Sequence, residues 1–281
     1  MSEERKQQYF GELAPRYSHL TGDTTQDSFV KFLESHPLDI SSSSIIHDNA
    51  AGPGTATEIL VQRAAPSGVS PRIVATDYSA GMIARLEEIK TAWPEVTVEA
   101  KVIDSSDLSC FEKDYFTHSI NNFSLFTFTH PVQSLKETYR TLKPSGTAVV
   151  LVWKLFAVQG LLATAQDIVK GPGYAKANAI PVNGAQYYQE GFVSKQLVEA
   201  GFEKKKLETI VVEHVLKEDD RTKWDGLFEF MTKSSIAASS IKGWSPDEAA
   251  SWPDAIKQAI ATETQKHGGV KFEAWVTVAK K

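Results

Sequence analysis

Between residues 45 and 153 short apolar runs end on polar or acidic tips, with amphipathic stretches between them. Ile45-Ile46-His47 opens a buried strand that stops in the small-residue turn Asp48-Asn49-Ala50-Ala51-Gly52-Pro53-Gly54, and a helix is expected over residues 56–63. Residues 72–76, Arg-Ile-Val-Ala-Thr, form a second run that ends in Asp77. Residues 98–103 alternate as a third strand does and end in Asp104-Ser105; residues 115–122 give a fourth, closing on Asn121-Asn122-Phe123. Residues 147–153 give a fifth, ending at Trp153. Strands alternating with helical stretches predict an α/β chain built on a parallel sheet.

The flanks read differently. In residues 1–35, Tyr9-Phe10-x-x-Leu13-Ala14-x-x-Tyr17 sets apolar and aromatic residues at helical spacing. Residues 155–190 break the regular pattern, with a helix at 159–170, then Gly171-Pro172-Gly173-Tyr174 and the stretch 181–188. Residues 192–200 form a short helix capped by Gly201, residues 206–216 a sixth strand, and residues 272–278 a seventh. Residues 217–267 are largely helical, with Trp224, Phe228, Phe230 and Met231 at core spacing. A chain of 281 residues, 42% hydrophobic, suffices for one α/β domain with a helical elaboration, so residues 1–281 are read as a single domain.

Charge narrows the partners. The net charge is −5, and Lys204-Lys205-Lys206 is read as a solvated turn, so a nucleic-acid partner is not expected. The single cysteine, Cys110, excludes an internal disulfide, fits a reducing compartment, and is expected as a small packing residue after the third strand. The first residues lack the apolar core of a signal peptide. The longest apolar stretch, 148–163, is broken by Lys154 and Gln159, so no membrane span is expected and a cytoplasmic location is.

The tips carry the chemistry. Small residues at Ala50, Gly52 and Gly54 let a ligand approach the backbone, and the following helix aims its first amides at the turn. An acid at Asp77 suits a pair of ribose hydroxyls. These features describe a nucleoside-type cofactor lying across the strand tips. A dinucleotide fits less well: Gly52-x-Gly54-x-x-Thr57 has threonine in the third glycine position. Asp48 would repel a pyrophosphate and attract an ammonium.

The turn resembles D-x-G-x-G-x-G, the first motif of class I S-adenosylmethionine (SAM) dependent methyltransferases, with Ala50 in the first glycine position. Asp77-Tyr78-Ser79-Ala80-Gly81-Met82 matches the D-x-S-x-x-M signature, and Leu142-Lys143-Pro144-Ser145-Gly146 resembles the L-K-P-G-G turn. The layout also resembles the small-molecule methyltransferases of fungal secondary metabolism, including the gliotoxin-type thiol methyltransferases. It does so through Tyr17, the turn at Asp48–Gly54, Trp153 and Ala274-Trp275-Val276. The resemblance implies a Rossmann-like seven-stranded α/β sheet with an antiparallel last strand. It implies a helical N-terminal cap at 1–40, a SAM-binding core at 45–153, and substrate-cover insertions at 155–190 and 217–267. SAM is the implied cofactor, held by Tyr17, Asp48, Asn49, Ala50, Gly52, Asp77, Tyr78, Met82, Asp104, Ser105, Asn121 and Asn122. A small, largely apolar acceptor is implied against Phe123, Phe126, Trp153 and Tyr187. The strand-four tip is more polar than the thiol-specific group leads one to expect, so sulfur, oxygen, nitrogen and even carbon acceptors stay open.

Methyl transfer from a sulfonium requires alignment and exclusion of water; a hydroxyl acceptor also needs a base. His130, in the loop after the fourth strand, is the leading candidate, ahead of His118 and His19; His47, within the first strand, gives no catalytic hint. No carboxylate cluster stands out, so no metal is expected. The alternative is a protein that binds SAM without transferring methyl, in a cyclase-like or regulatory role. A nicotinamide-dependent reductase is a more distant reading.

Overall fold

In the computed structural model, which describes residues 3–179 and 184–281, seven strands form one sheet ordered β3-β2-β1-β4-β5-β7-β6. They are β1 Ile45–Asn49, β2 Arg72–Asp77, β3 Thr97–Val102, β4 Phe116–Asn122, β5 Leu142–Leu155, β6 Leu207–Leu216 and β7 Val270–Lys280. The first five are parallel; β7 lies antiparallel to both β5 and β6. Because β1 sits between β2 and β4, the chain leaves the sheet centre in opposite directions from the two halves. That reversal opens a crevice at the carboxyl ends of β1 and β4, where ligands of such sheets bind.

The helices are α1 Glu3–Leu13, α2 Tyr17–Thr21, α3 Thr24–Ser35, α4 Thr55–Ala64, α5 Ala80–Ile89, α6 Pro131–Thr141 and α7 Ala157–Lys170. There follow α8 Tyr174–Ala177, α9 Phe192–Glu199, α10 Arg221–Lys233, α11 Ser235–Ser240, α12 Pro246–Ala250 and α13 Trp252–His267. One core joins Phe29 and Phe32 of α3, Ile59 and Leu60 of α4, Leu161 of α7 and Trp252 and Ile256 of α13 to the sheet. A second joins Leu135 of α6 and Val193 and Leu197 of α9 to Val150 and Val152 of β5. The central strands β1 and β4 are buried almost throughout because both faces are covered. The edge strand β3 instead carries Glu99 and Lys101, with Arg72 of β2 bonded to Glu99 at 2.6 Å.

The expected elements are present with shifted ends. β5 starts at Leu142, because Leu142 pairs with Phe116 before a register break, and the turn through Ser145 (φ 65°) then returns the chain to pairing at Thr147. Cys110 is exposed, contrary to its expected packing role: neighbouring Leu108 and Phe111 take the interior positions. Residues 180–183, which include the start of the 181–188 stretch, lie outside the described residues. Among the described residues no helix is long and apolar enough to cross a membrane.

The C-terminal helices support the N-terminal ones. Gly226 of α10 lies so close to α2 that a Cβ there would overlap the His19 carbonyl. Arg16 pairs with Glu229 at 2.7 Å, and Lys223 with Asp27 at 2.9 Å. This clamp fixes the segment that carries Tyr17. Met231 is buried, and Trp224, Phe228 and Phe230 pack half-buried on the first core.

Candidate active site

The crevice is a cavity of about 1120 Å³, counting its open mouth. Its floor is the β1 turn. Ala50 (φ 60°) and Gly52 (φ 56°) both hold left-handed backbone, and a Cβ on Gly52 would meet no protein atom within 4 Å. A side chain there would instead stand in open space beside the turn, in the cavity wall that Gly52 helps to form.

Asp77 follows on β2. Its two oxygens accept from Gly52 N at 2.9 Å and Ser79 N at 2.8 Å, so the carboxylate joins the first turn to the second. Burial pushes its carboxyl up to about 6, against the pull of those two amides. Ser79 caps α5 by accepting from Met82 N, which sets Met82 into the cavity wall. On β3's tip Asp104 accepts from the Ser106 amide and hydroxyl, and the Ser105 hydroxyl donates to Asn49 Oδ1 at 2.6 Å. Ala50–Gly52, then Asp77, Tyr78 and Met82, then Asp104 and Ser105 thus line the cavity in strand order.

The cover comes from two places. From the N-terminal segment come Phe10, Tyr17 and Thr25. α1 is held down by the approach of Gly11 to Gly81, and Ser79 Oγ donates to Gln7 O at 3.4 Å. Phe10 meets Tyr78 edge-on at 6.4 Å. Burial first, and the nearby Asp77 carboxylate second, push the Tyr17 phenol up to about 12, so it stays neutral and able to donate. After β4 come Phe123, Ser124, Thr127, Phe128, Thr129 and His130, with Ser134 behind them.

Of the residues singled out from the sequence, Tyr17, Ala50, Gly52, Asp77, Tyr78, Met82, Asp104, Ser105, Asn122, Phe123 and His130 meet in this cavity. Asp48, Asn49 and Asn121 stand behind it instead. Asp48 is buried and accepts from Thr57 N at 2.9 Å and Thr57 Oγ1 at 2.6 Å. It caps an otherwise unpaired amide in the first turn of α4 rather than facing an ammonium. Burial raises its carboxyl to about 6. Asn121 accepts from Leu125 N and donates to Asn49 O, bracing the turn after β4 against β1.

Phe126, Trp153 and Tyr187 also lie outside the cavity wall. Trp153 packs beneath Phe123 with ring centres 4.0 Å apart, and Phe126 and Tyr187 face each other at 6.4 Å. Among the described residues the segments 155–190 and 217–267, expected as substrate cover, supply no cavity residue, because their apolar faces are spent on the sheet and on α2. Phe10, Thr25, Ser106, Ser124, Thr127, Thr129 and Ser134 were not foreseen. Only Phe10 had a signal, the helical aromatic spacing of the N-terminal segment.

The other histidines are committed elsewhere. His47 stacks on Phe116 at 4.6 Å and bonds Thr76 Oγ1, and burial drives it down to about 3. His118 bonds Thr117 Oγ1 and is lowered to about 4 by burial. His19 reaches Glu229 at 3.4 Å. None of the three lines the cavity; His130 does, at its exposed edge.

Fold and site together define an α/β domain with a cofactor-sized crevice at its strand tips, and the comparisons place its central part beside known methyltransferases. Residues 47–150 match the family described as "Methyltransferase domain". The chain is 33% identical over 128 residues to "Methyltransferase ucsB" of Acremonium sp, covering 42% of this chain and 43% of that protein, so the match spans under half of that relative. It is 26% identical over 216 residues to the ubiquinone/menaquinone biosynthesis C-methyltransferase UbiE of Hydrogenovibrio crunogenus, covering 69% of this chain and 80% of that one. Its fold is similar to the YcgJ protein of Bacillus subtilis, with a TM-score of 0.54 at 13% identity over 91% of this chain and 98% of that one.

Proposed function

We propose that this chain transfers the methyl group of SAM to a small, flat, largely apolar metabolite, of the kind made in secondary metabolism, at a sulfur, oxygen or nitrogen atom. The observation that carries this is one cavity lined both by the three strand-tip sites and by Phe10, Phe123 and Phe128. The residues fit the cofactor: Asp77 offers lone pairs to ribose hydroxyls, Met82 an apolar face to the base, and Gly52 leaves the turn open to it.

SAM supplies a methyl group already activated by the positive charge on its sulfur. The chain's part is positioning. Tyr17 and Phe10 cover the cavity from the N-terminal side and exclude water. Tyr17, held neutral, donates rather than adding a second negative charge beside Asp77. Phe123, supported by Trp153 beneath it, gives the acceptor a firm flat surface. His130 at the mouth is placed to take a proton from a hydroxyl acceptor; a thiolate acceptor needs no such help.

Calorimetric titration with SAM and, separately, NADH tests this reading. It stands if SAM binds at micromolar concentration, NADH does not, and thiol, phenol or amine acceptors then yield S-adenosylhomocysteine. Failure to bind SAM sinks it.

A further inference from the structure

The tip of β4 holds two polar atoms that find no hydrogen-bond partner among the described residues. Asn122 Oδ1 and Ser124 Oγ are both buried without a hydrogen-bond partner, and both residues line the cavity. Asn122 Nδ2 donates to Thr25 O at 3.5 Å, which fixes the amide: turned over, it would set two oxygens against each other. Asn122 therefore presents a pure acceptor, whereas Ser124 can give or take a proton. Between them Phe123 has φ 56°, a left-handed conformation that aromatic residues rarely adopt, held by its amide donating to Leu151 O at 3.1 Å. That kink places the phenylalanine ring on Trp153 and a polar residue on each side of it. Buried groups left unpaired are costly and rare, and strained backbone persists where function holds it in place.

We propose that Asn122 Oδ1 and Ser124 Oγ form the acceptor-recognition pair. They select a flat molecule that carries an O–H or N–H donor and seats its ring over Phe123. This rests on the methyl-transfer reading and narrows it to acceptors with a hydrogen-bond donor; it takes Asn122 away from the cofactor. A donor from the acceptor satisfies Asn122, the Ser124 hydroxyl bonds the same heteroatom, and the ring face excludes water. The pair positions the substrate and takes no part in proton transfer.

The test uses 2-naphthol and 2-fluoronaphthalene, close in shape but with and without a donor, titrated into the full chain saturated with S-adenosylhomocysteine. The wild type should bind 2-naphthol about five- to tenfold more tightly, the worth of one well-made neutral hydrogen bond. In Ser124→Ala and in Asn122→Ala this preference should shrink towards one, while SAM affinity stays within about twofold of wild type, the level at which no hydrogen bond to the cofactor has been lost. Ser124→Ala should melt no lower than wild type, because an unpaired buried hydroxyl is removed. That variant keeps the test open if Asn122→Ala fails to fold. Equal affinity for both naphthalenes, no binding of either, or a preference that survives both substitutions overturns the proposal. Loss of SAM affinity with the preference intact overturns it too, by assigning the pair to the cofactor. If the wild type does not bind SAM at all, the methyl-transfer reading itself has failed.

Discussion

Replacing Asp77 by asparagine separates what this side chain does for the fold from what it does for the cofactor. The carboxylate accepts one backbone amide on each oxygen, Gly52 N at 2.9 Å and Ser79 N at 2.8 Å. An asparagine can answer only one of them, so its NH2 faces a second N–H and leaves a buried donor unpaired, at about 1–3 kcal/mol. Against this, burial raises the aspartate from 3.8 to about 6. At neutral pH that corresponds to about 3 kcal/mol working against the ionised form, which the amide escapes. The two effects nearly cancel, so the variant should fold with stability within about 2 kcal/mol of wild type. Binding does not cancel. A ribose hydroxyl bonded to a carboxylate is worth about 1.5–3 kcal/mol, so SAM should bind roughly 10- to 150-fold more weakly. The pH dependence gives an independent check. Because the folded free protein holds this carboxyl near 6, only the ionised fraction is ready for the ribose. Wild-type affinity should be flat above about pH 7 and fall about tenfold by pH 5, with proton release on binding near pH 6. The asparagine variant should show no such slope from this group. Calorimetry at pH 5, 6 and 7.5, with circular dichroism to confirm folding, reads both. SAM affinity within about threefold of wild type, a loss too small for one charge-assisted hydrogen bond, would refute the ribose assignment.

Three further perturbations follow. Ala50→Gly releases a left-handed alanine (φ 60°), a gain of about 1–2 kcal/mol, against about 0.4–1 kcal/mol for the freer unfolded chain. The melting temperature should therefore rise by roughly 1–4 °C, and a fall would show that the methyl group of Ala50 packs usefully. Gly81→Ala puts a Cβ 2.6 Å from Gly11 Cα, which must lift α1 and Phe10 from the cavity. α5 itself should gain helix propensity of up to about 1 kcal/mol, so hydrogen exchange should quicken over residues 7–13 without a lower melting temperature; unchanged exchange would show that α1 is not seated by this contact. His130→Ala should slow methylation of a phenol about a hundredfold and leave that of a thiol unchanged, since only the hydroxyl needs a base. Equal rates for wild type and variant on the phenol would remove His130 as the base.

Much of the fold is legible locally. β1 and β2 carry apolar residues and close on a polar tip, and α4 begins at the small-residue turn that frees the backbone. Those are nearest-neighbour constraints, so β1, β2 and β4 and the acid at Asp77 could be read directly from the residues. The antiparallel pairing of β7 with β5 and the order of the tips followed from the family resemblance, and the sheet bears them out. Element ends were less legible: β5 starts at Leu142 because of its partner Phe116, which lies 26 positions earlier in the chain.

The sequence by itself determined which residues carry polar chemistry at the strand tips, because a tip must end an apolar run. Only the tertiary structure decided which of those residues reach the cavity. Asp48 and Asn121 read as ligand contacts, yet neither lines the cavity: Asp48 turns one oxygen to Thr57 N, and Asn121 accepts from Leu125 N. Phe126 and Trp153 read as pocket aromatics, yet one faces Tyr187 and the other underlies Phe123. The C-terminal helices read as substrate cover, yet they brace α2 through Gly226 and Glu229. In each case the deciding partner is distant in sequence or competes for the same hydrogen bond. Residue type and spacing specify what a side chain can do; the packing of non-neighbouring segments specifies which of those options is already taken.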